Sequence, residues 1–322
     1  MTTPIARPFA GESDLQPLVD LINICESVDR IESGTSLAEL RAEINSPSLD
    51  QQRDLRLWQH ESGELIAFGQ LWIRPAHVEN TIDGNLWFFV HPEARGTDLE
   101  TEIITWAEGR MREIRSEKGA QTRLYCGARD DDGWRTSIMQ GHGFTPARYF
   151  LRMVRPLDQP ISEPQLPEGF ILRQVEGEHE IPAWVEMFNE SFIDHWNHHP
   201  LTVEQVLYWL ESDPFYNPQG DLIAVAPDGT FAAFCFCSIN PEENERNGCN
   251  EGWINVLGTR RGFRNIGLGR AMLLAGLRWL KDQGMDFAKL GVDSENPTGA
   301  TRLYESVGFY PAYTLTSYSK EV

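Results

Sequence analysis

The order of elements runs through this chain twice, and that repetition limits its fold more than any single motif does. A strand-like start and a helical segment open each half, at Leu15 to Asn23 in the first and Ile181 to Phe192 in the second. Strand-like runs follow at Leu55 to Leu57 and Ile66 to Trp72, then at Leu222 to Ala226 and Phe231 to Ser238. A further strand, Leu86 to Val90 against Trp253 to Leu257, leads in each half into a turn and an amphipathic helix. Gly143-Phe144 and Gly308-Phe309 stand near the ends of the two copies. Two copies at long period point to duplicated domains rather than to a solenoid, which needs more repeats to bury a continuous core. Between them, Pro156 to Gly169 holds four prolines and little apolar content, the composition of a stiff extended linker. The expected division is a first domain at 1–156, a linker at 157–168 and a second domain at 169–322. The expected fold class is mixed α/β, with a twisted mixed sheet flanked by helices in each domain.

In the second copy, Arg264-Asn265-Ile266-Gly267-Leu268-Gly269-Arg270 sits between the strand ending at Leu257 and an apolar helical run from Leu268 to Leu280. Two glycines allow close approach of a ligand to the backbone, and a helix beginning there directs unpaired N–H groups and its positive dipole end into the turn. That arrangement suits a pyrophosphate. A dinucleotide-binding turn would need a third small residue where Met272 stands, and no Gly-Lys-Ser/Thr follows to make a Walker loop. An ordinary tight turn opening a helix remains the plain alternative.

After another apolar run, Lys289 to Val292, the chain continues Asp293-Ser294-Glu295-Asn296-Pro297-Thr298-Gly299-Ala300-Thr301-Arg302-Leu303-Tyr304-Glu305-Ser306-Val307-Gly308-Phe309. The Arg-x-x-Gly-x-Gly turn, followed about one helix and one strand later by Asn-Pro-x-Gly-Ala-x-x-Leu-Tyr-x-x-x-Gly-Phe, resembles the GCN5-related N-acetyltransferase superfamily, whose members bind acetyl-CoA. The tandem layout resembles its mycothiol-synthase-like branch, although Trp253 stands where that branch carries a strand glutamate, which puts the acceptor in doubt.

The resemblance implies an enzyme that transfers the acetyl group of acetyl-CoA to an amine, on a small molecule or a peptide, by direct attack in a ternary complex. A non-catalytic acetyl-CoA sensor is the alternative. Such a reaction needs a held donor, a neutral amine, a stabilised oxyanion and a proton for the leaving thiolate. By resemblance, the backbone of Arg264, Asn265, Ile266, Gly267, Leu268, Gly269 and Arg270 cradles the pyrophosphate. Val256, Leu257, Gly258 and Thr259 pair with the pantetheine arm as an added strand would, and the oxyanion donor falls near Leu257. Tyr304 matches the position of the proton donor to the thiolate, while a core tyrosine with a wet tip is the structural alternative. Asn296 caps the turn before Tyr304 and, in the family, also lies near the cofactor. Glu251, on the same strand face as Trp253, is the candidate general base or else a solvated edge carboxylate. His195 and Trp196 are expected acceptor contacts, with a loop around a buried Trp as the plain alternative. His195, His198 and His199 have spacings a metal could use on a helix, but Pro200 and the missing fourth ligand argue against it, and no metal is expected.

The first copy departs where this chemistry would occur. Asp98 and Glu100 stand where the cradle glycines would be, Met139 falls opposite Tyr304, and no Asn-Pro-x-Gly-Ala precedes it. Two carboxylates there would repel a pyrophosphate, so this copy is read as a degenerate relative of the second. An unrelated α/β domain with a chance Gly-Phe stays open.

Charge and cysteines bound the setting. With 48 acidic against 28 basic residues, the net charge of −20 argues against nucleic acid and anionic membranes as partners. No apolar run is long enough to cross a bilayer and Met1-Thr2-Thr3-Pro4-Ile5 is no leader, so a cytoplasmic monomer or homodimer is expected. The five cysteines contain no Cys-x-x-Cys pair and are read as reduced thiols, with Cys235 and Cys237 on one sheet face.

Overall fold

Leu15, Leu18, Val19, Ile22 and Cys25 recur at the spacing of one helix face, and the protein buries that face against a sheet. The computed structural model describes residues 4–29, 34–74, 80–296 and 298–322. Met1 to Thr3 and Pro297, which entered the reading of the leader and of the second motif, lie outside the described residues. The chain forms two units, one made of Met1–Tyr149 with Leu315–Val322 and the other of Phe150–Thr314.

The first unit contains β1 (Ile5–Arg7), α1 (Leu15–Asp29), α2 (Leu37–Ile44), β2 (Leu55–Gln59), β3 (Leu65–Arg74), β4 (Thr81–Val90), α3 (Leu99–Lys118), β5 (Gln121–Arg129) and α4 (Gly133–Gly141). Its sheet runs β1-β2-β3-β4-β5, antiparallel except for the β4–β5 pair. Helices α1 and α2 cover one face around Leu18, Ile22, Phe68 and Phe89, and α3 covers the other around Ile103, Ala107, Met111 and Phe88.

The second unit takes the later part of β6 (Thr145–Pro156), then β7 (Ile171–Gln174), α5 (Ile181–Phe192), α6 (Val203–Ser212), β8 (Asp221–Val225), β9 (Phe231–Ser238), α7 (Pro241–Asn247), β10 (Glu251–Thr259), α8 (Leu268–Asp282), β11 (Phe287–Asp293) and α9 (Ala300–Ser306). Its sheet order is β6-β11-β10-β9-β8-β7, again with one parallel pair, β10–β11. Trp184, Phe188 and Phe192 of α5 stack on Phe234 at 5.3–6.3 Å on one face. Met272, Ala275 and Leu277 of α8 fill the other with Cys235, Cys237 and Leu290. Cys235 and Cys237 do share that face, their Sγ atoms 3.6 Å apart and buried.

These units differ from the expected division at both ends. The chain's last strand, β12 (Tyr310–Glu321), pairs from Leu315 to Glu321 with Arg129 to Arg123 of β5, so it completes the first unit's sheet. Phe150 to Pro156 of β6 pairs with Asp293 to Phe287 of β11 and belongs to the second. Strand pairing sets which unit a segment joins, and sequence order does not reveal pairing partners. The expected linker likewise folds onto the second unit: Leu157 is buried, and Ile161 and Leu166 pack on its core.

One buried carboxyl has a measurable consequence. Asp221, at the start of β8, is 3% exposed, and burial pushes its carboxyl up to about 7 against the hydrogen bond donated by Trp184 Nε1 at 3.2 Å. The fold favours the protonated acid, so Asp221 contributes most below pH 4 and loses that contribution as pH rises through about 7. Asp221→Asn is expected to match the parent near pH 4 and to be more stable at pH 8 by on the order of 2–4 kcal/mol, measured by urea unfolding at both pH values.

Candidate active site

The pairing of β10 with β11 stops early. The ladder runs from Glu251–Phe287 to Ile254–Leu290 and then ends, although β10 continues to Thr259 and β11 to Asp293. On its other side β10 stays paired with β9 as far as Thr259, with a bulge at Asn255 that shifts the register between Ile254 and Val256. The two parallel strands therefore part, leaving main-chain groups of Asn255 to Thr259 directed into a slot. A Cβ at Gly258 would overlap Phe234, which the α5 aromatics hold in place, so this stretch of β10 packs closely on that face.

A turn at the end of β10 sets the start of α8. Arg264 donates to Thr259 O at 3.2 Å, to Ser191 O at 2.8 Å and to Asp194 at 2.9 Å; Arg261 also pairs with Asp194. Arg260 holds Glu190 and Glu186 at 2.5 Å each. The Arg264 side chain is thus committed to pinning the turn onto α5, which leaves its main chain, the part expected in the cradle, at the turn. Asn265 (φ 63°) and Gly267 (φ 94°) take left-handed conformations that reverse the chain into α8. The first helical bond of the turn is Ala271 N–H to Gly267 O, so the N–H groups of Leu268, Gly269 and Arg270 precede the ladder of α8. No side chain caps this end. A Cβ at Gly269 would make only ordinary contacts, 3.4 Å from Thr259 and 3.6 Å from Leu303, so packing does not require glycine there.

Tyr304 of α9 is 7% exposed in the α8-side core, 6.0 Å from Phe309 and edge-on to it. Burial pushes its phenol up. The phenol therefore keeps its proton at neutral pH. Arg270 Nη1 bonds Ser306 Oγ at 2.7 Å, and buried Arg155 donates to Val307 O at 2.5 Å and to Pro160 O at 3.1 Å, so both flanks hold α9. Asn296 accepts from Thr298 N at 2.8 Å and caps the turn before α9.

Glu251 is not brought to this place. It forms an ion pair with Lys289 and lies six strand positions before Leu257, roughly 20 Å at the usual strand rise. His195 and His199 direct Nδ1 at the carbonyls of Trp196 and Asn197, and Trp196 rests on Phe150 of β6 at 5.9 Å, on the side of the sheet opposite α8. Among the described residues no group of three His, Cys, Asp or Glu side chains could hold a metal ion.

The first unit repeats the same backbone with its openings filled. The β4–β5 ladder also ends early, at Leu86–Cys126. Arg135 fills the parting: Nε donates to Gly127 O at 2.9 Å, Nη2 to Phe88 O at 3.1 Å, and the guanidinium lies 4.2 Å from the Phe88 ring centre. Arg95 takes the part of Arg264, with Asp29 as its carboxylate. Asp98 adopts φ 70°, matching Gly267, and Glu100 stands where Gly269 does. The Glu100 carboxylate, 5% exposed, accepts the Gly96 N–H at 2.8 Å in the turn before the helix; neither helix start has a side-chain cap bond. Sequence reading saw the carboxylates but not Arg135, whose only signal was its alignment with Ala300.

Fold and sites together define a tandem acyltransferase with one open and one self-filled lobe. The model of the acetyltransferase (GNAT) family matches residues 181–309. A mycothiol acetyltransferase of Thermobispora bispora is 34% identical over 220 residues, covering 68% of this chain and 70% of its own. One from Salinispora tropica is 36% identical over 247 residues, covering 73% and 78%. The crystal structure of a GCN5-related N-acetyltransferase from Sphaerobacter thermophilus superposes with TM-score 0.74 at 26% identity, over 99% of this chain and 95% of that one. A tandem GNAT protein from the clavulanic acid biosynthesis pathway shares the fold, with TM-score 0.71 at 13% identity over 99% and 98%. The chain belongs to the GNAT acetyltransferase family, as a tandem-domain member.

Arg135→Met should cost about 1–3 kcal/mol in urea unfolding, because two charge-assisted bonds to strand carbonyls are lost. Glu100 remains in that variant, so no coenzyme site should open in the first unit.

Proposed function

We propose that the second unit binds acetyl-CoA and transfers its acetyl group to the amine of a small molecule within a ternary complex. One observation carries this reading: in the second unit, among the described residues, the strand parting and the turn into the helix have no side chain bonded into them, while in the first Arg135 bridges the parting and Glu100 accepts the Gly96 N–H of the turn. In this reading the N–H groups from Asn265 to Arg270 hold the pyrophosphate. Val256, Leu257, Gly258 and Thr259 pair with the pantetheine amides, and Asn296 flanks them.

The acceptor nitrogen attacks the thioester carbon, and the carbonyl π electrons move onto oxygen, where the main-chain N–H near Leu257 stabilises the charge. Collapse re-forms the carbonyl and breaks the C–S bond. Tyr304 gives its phenolic proton to the thiolate, and the proton lost from nitrogen passes to water and back to the phenolate. No proton step is assigned to Glu251. The relatives' name, mycothiol acetyltransferase, supports a small-molecule acceptor. His195 and Trp196, over the face opposite α8, would border it.

Titration calorimetry tests the donor site. The parent should bind one acetyl-CoA per chain, and Gly269→Glu, which copies the filled lobe, should weaken binding by roughly 100-fold or more while the protein stays folded. Unchanged affinity in that variant sinks the cradle. Tyr304→Phe should lower kcat by roughly 10–100-fold with the acetyl-CoA Kd within about twofold; equal turnover removes Tyr304 from the chemistry.

A further inference from the structure

On the sheet face opposite α8, three neighbouring strands present an unusual group of side chains. Ala288, Leu290 and Val292 of β11 and Met153 of β6 point into the α8-side core, so Lys289 and Gly291, and with them Phe150 and Arg152, occupy the other face. Trp253 of β10 stands beside Lys289 in the parallel register, one position before the ladder ends. Arg152 reaches across Gly291, where a Cβ would overlap its Nη1, and its guanidinium comes to 5.4 Å from the Trp253 ring centre. Trp196 closes one end by resting on Phe150. Gly291 and Asn255, at the mouth of the slot, are exposed.

Among the described residues Arg152 has no charged partner. Arg95, Arg110, Arg173 and Arg264 each meet an aspartate or glutamate. Arg152 is half-buried, yet among the described residues its only interaction is the ring of Trp253. In a chain of net charge −20, an arginine kept clear of every carboxylate has its five donors available to something else. Lys289, already paired with Glu251, is not available in the same way. A planar guanidinium, backed by an aromatic face, matches a carboxylate through two parallel hydrogen bonds.

We propose that Arg152 binds a carboxylate carried by the acceptor, so that the substrate class is amino acids and related carboxylate-bearing amines, with the amine directed into the parting of β10 and β11. This rests on the acetyl-transfer reading above and narrows it. Gly291 is then a specificity residue, since it lets the guanidinium lie flat beside the slot.

The test uses the full chain with acetyl-CoA and follows free-thiol release with matched acceptors: a panel of L-amino acids against their C-terminal amides, and phosphoethanolamine against ethanolamine. Acids should exceed their amides by roughly 100-fold in kcat/KM. Arg152→Gln should bring the acids down to the amide level while amide rates and the calorimetric Kd for acetyl-CoA stay unchanged. Gly291→Ala, which keeps the arginine but displaces it, should do the same. Equal use of acids and amides overturns the proposal. So does a preference for phosphoethanolamine, an acid preference that survives Arg152→Gln, or an acid panel neither acetylated nor protective in thermal melts while acetyl-CoA binds. Failure of acetyl-CoA itself to bind overturns the acetyl-transfer reading, and this narrower one with it.

Discussion

Two parallel strands that part before they end leave main-chain donors and acceptors without a ladder, and the rest of each unit is arranged around that deficit. Unpaired main-chain groups away from water cost free energy comparable to a lost hydrogen bond. In the first unit the Arg135 guanidinium meets the carbonyls of Phe88 and Gly127, one on each parted strand. In the second unit the corresponding position is Ala300, which has no donor to offer. The slot there is kept open by β9, which holds β10 to Thr259, and by the aromatic stack from α5 through Phe234 to Gly258. In the proposed reading an amide-bearing arm of a ligand takes the place of water on those groups.

The helix start beside the slot follows the same logic in electrostatic form. Both units build the turn with a left-handed residue two places before the helix-capping one and another at the cap, and both pin it with an arginine to a carboxylate near the end of the first helix. These features do not depend on a ligand. Besides the cap residue, the second residue of the helix differs: Glu100 turns back onto Gly96 N–H, whereas Gly269 has no side chain to do so. A helix N-terminus favours an anion whether the protein or a ligand supplies it.

Much of this was legible in the chain. Spacing of apolar residues located α5, β9, β10, α8 and β11 to within a few residues, because each is a long periodic run with a buried face. The helices α2 and α6 were not anticipated, although each begins with a readable signal: Ser36 with Glu39, and Thr202 with Gln205, form reciprocal capping boxes. The exchange that sends Leu315–Val322 to the first unit had no local signature, since β12 is an ordinary alternating strand and its partner is set by register with β5. Glu251 illustrates a different limit. Strand parity put it correctly on the face of Trp253, but parity says nothing of distance along the strand or of Lys289 across it.

The two units together separate loss of a site from loss of a fold. Had the first unit lost ligand binding through drift in its turn, Asp98 would not keep a left-handed φ of 70°, and Arg95 would not keep two bonds to Asp29 at 2.6 and 2.8 Å. Both persist. An aspartate in that conformation costs more than glycine would, so the backbone is being held by its surroundings rather than chosen by the residue. The openings were filled from within, by a carboxylate where an anion would bind and by a guanidinium where amides would pair. In the proposed reading each of these side chains has the chemistry of the ligand group it stands in for, and the filled unit is an internal image of what the open one would receive.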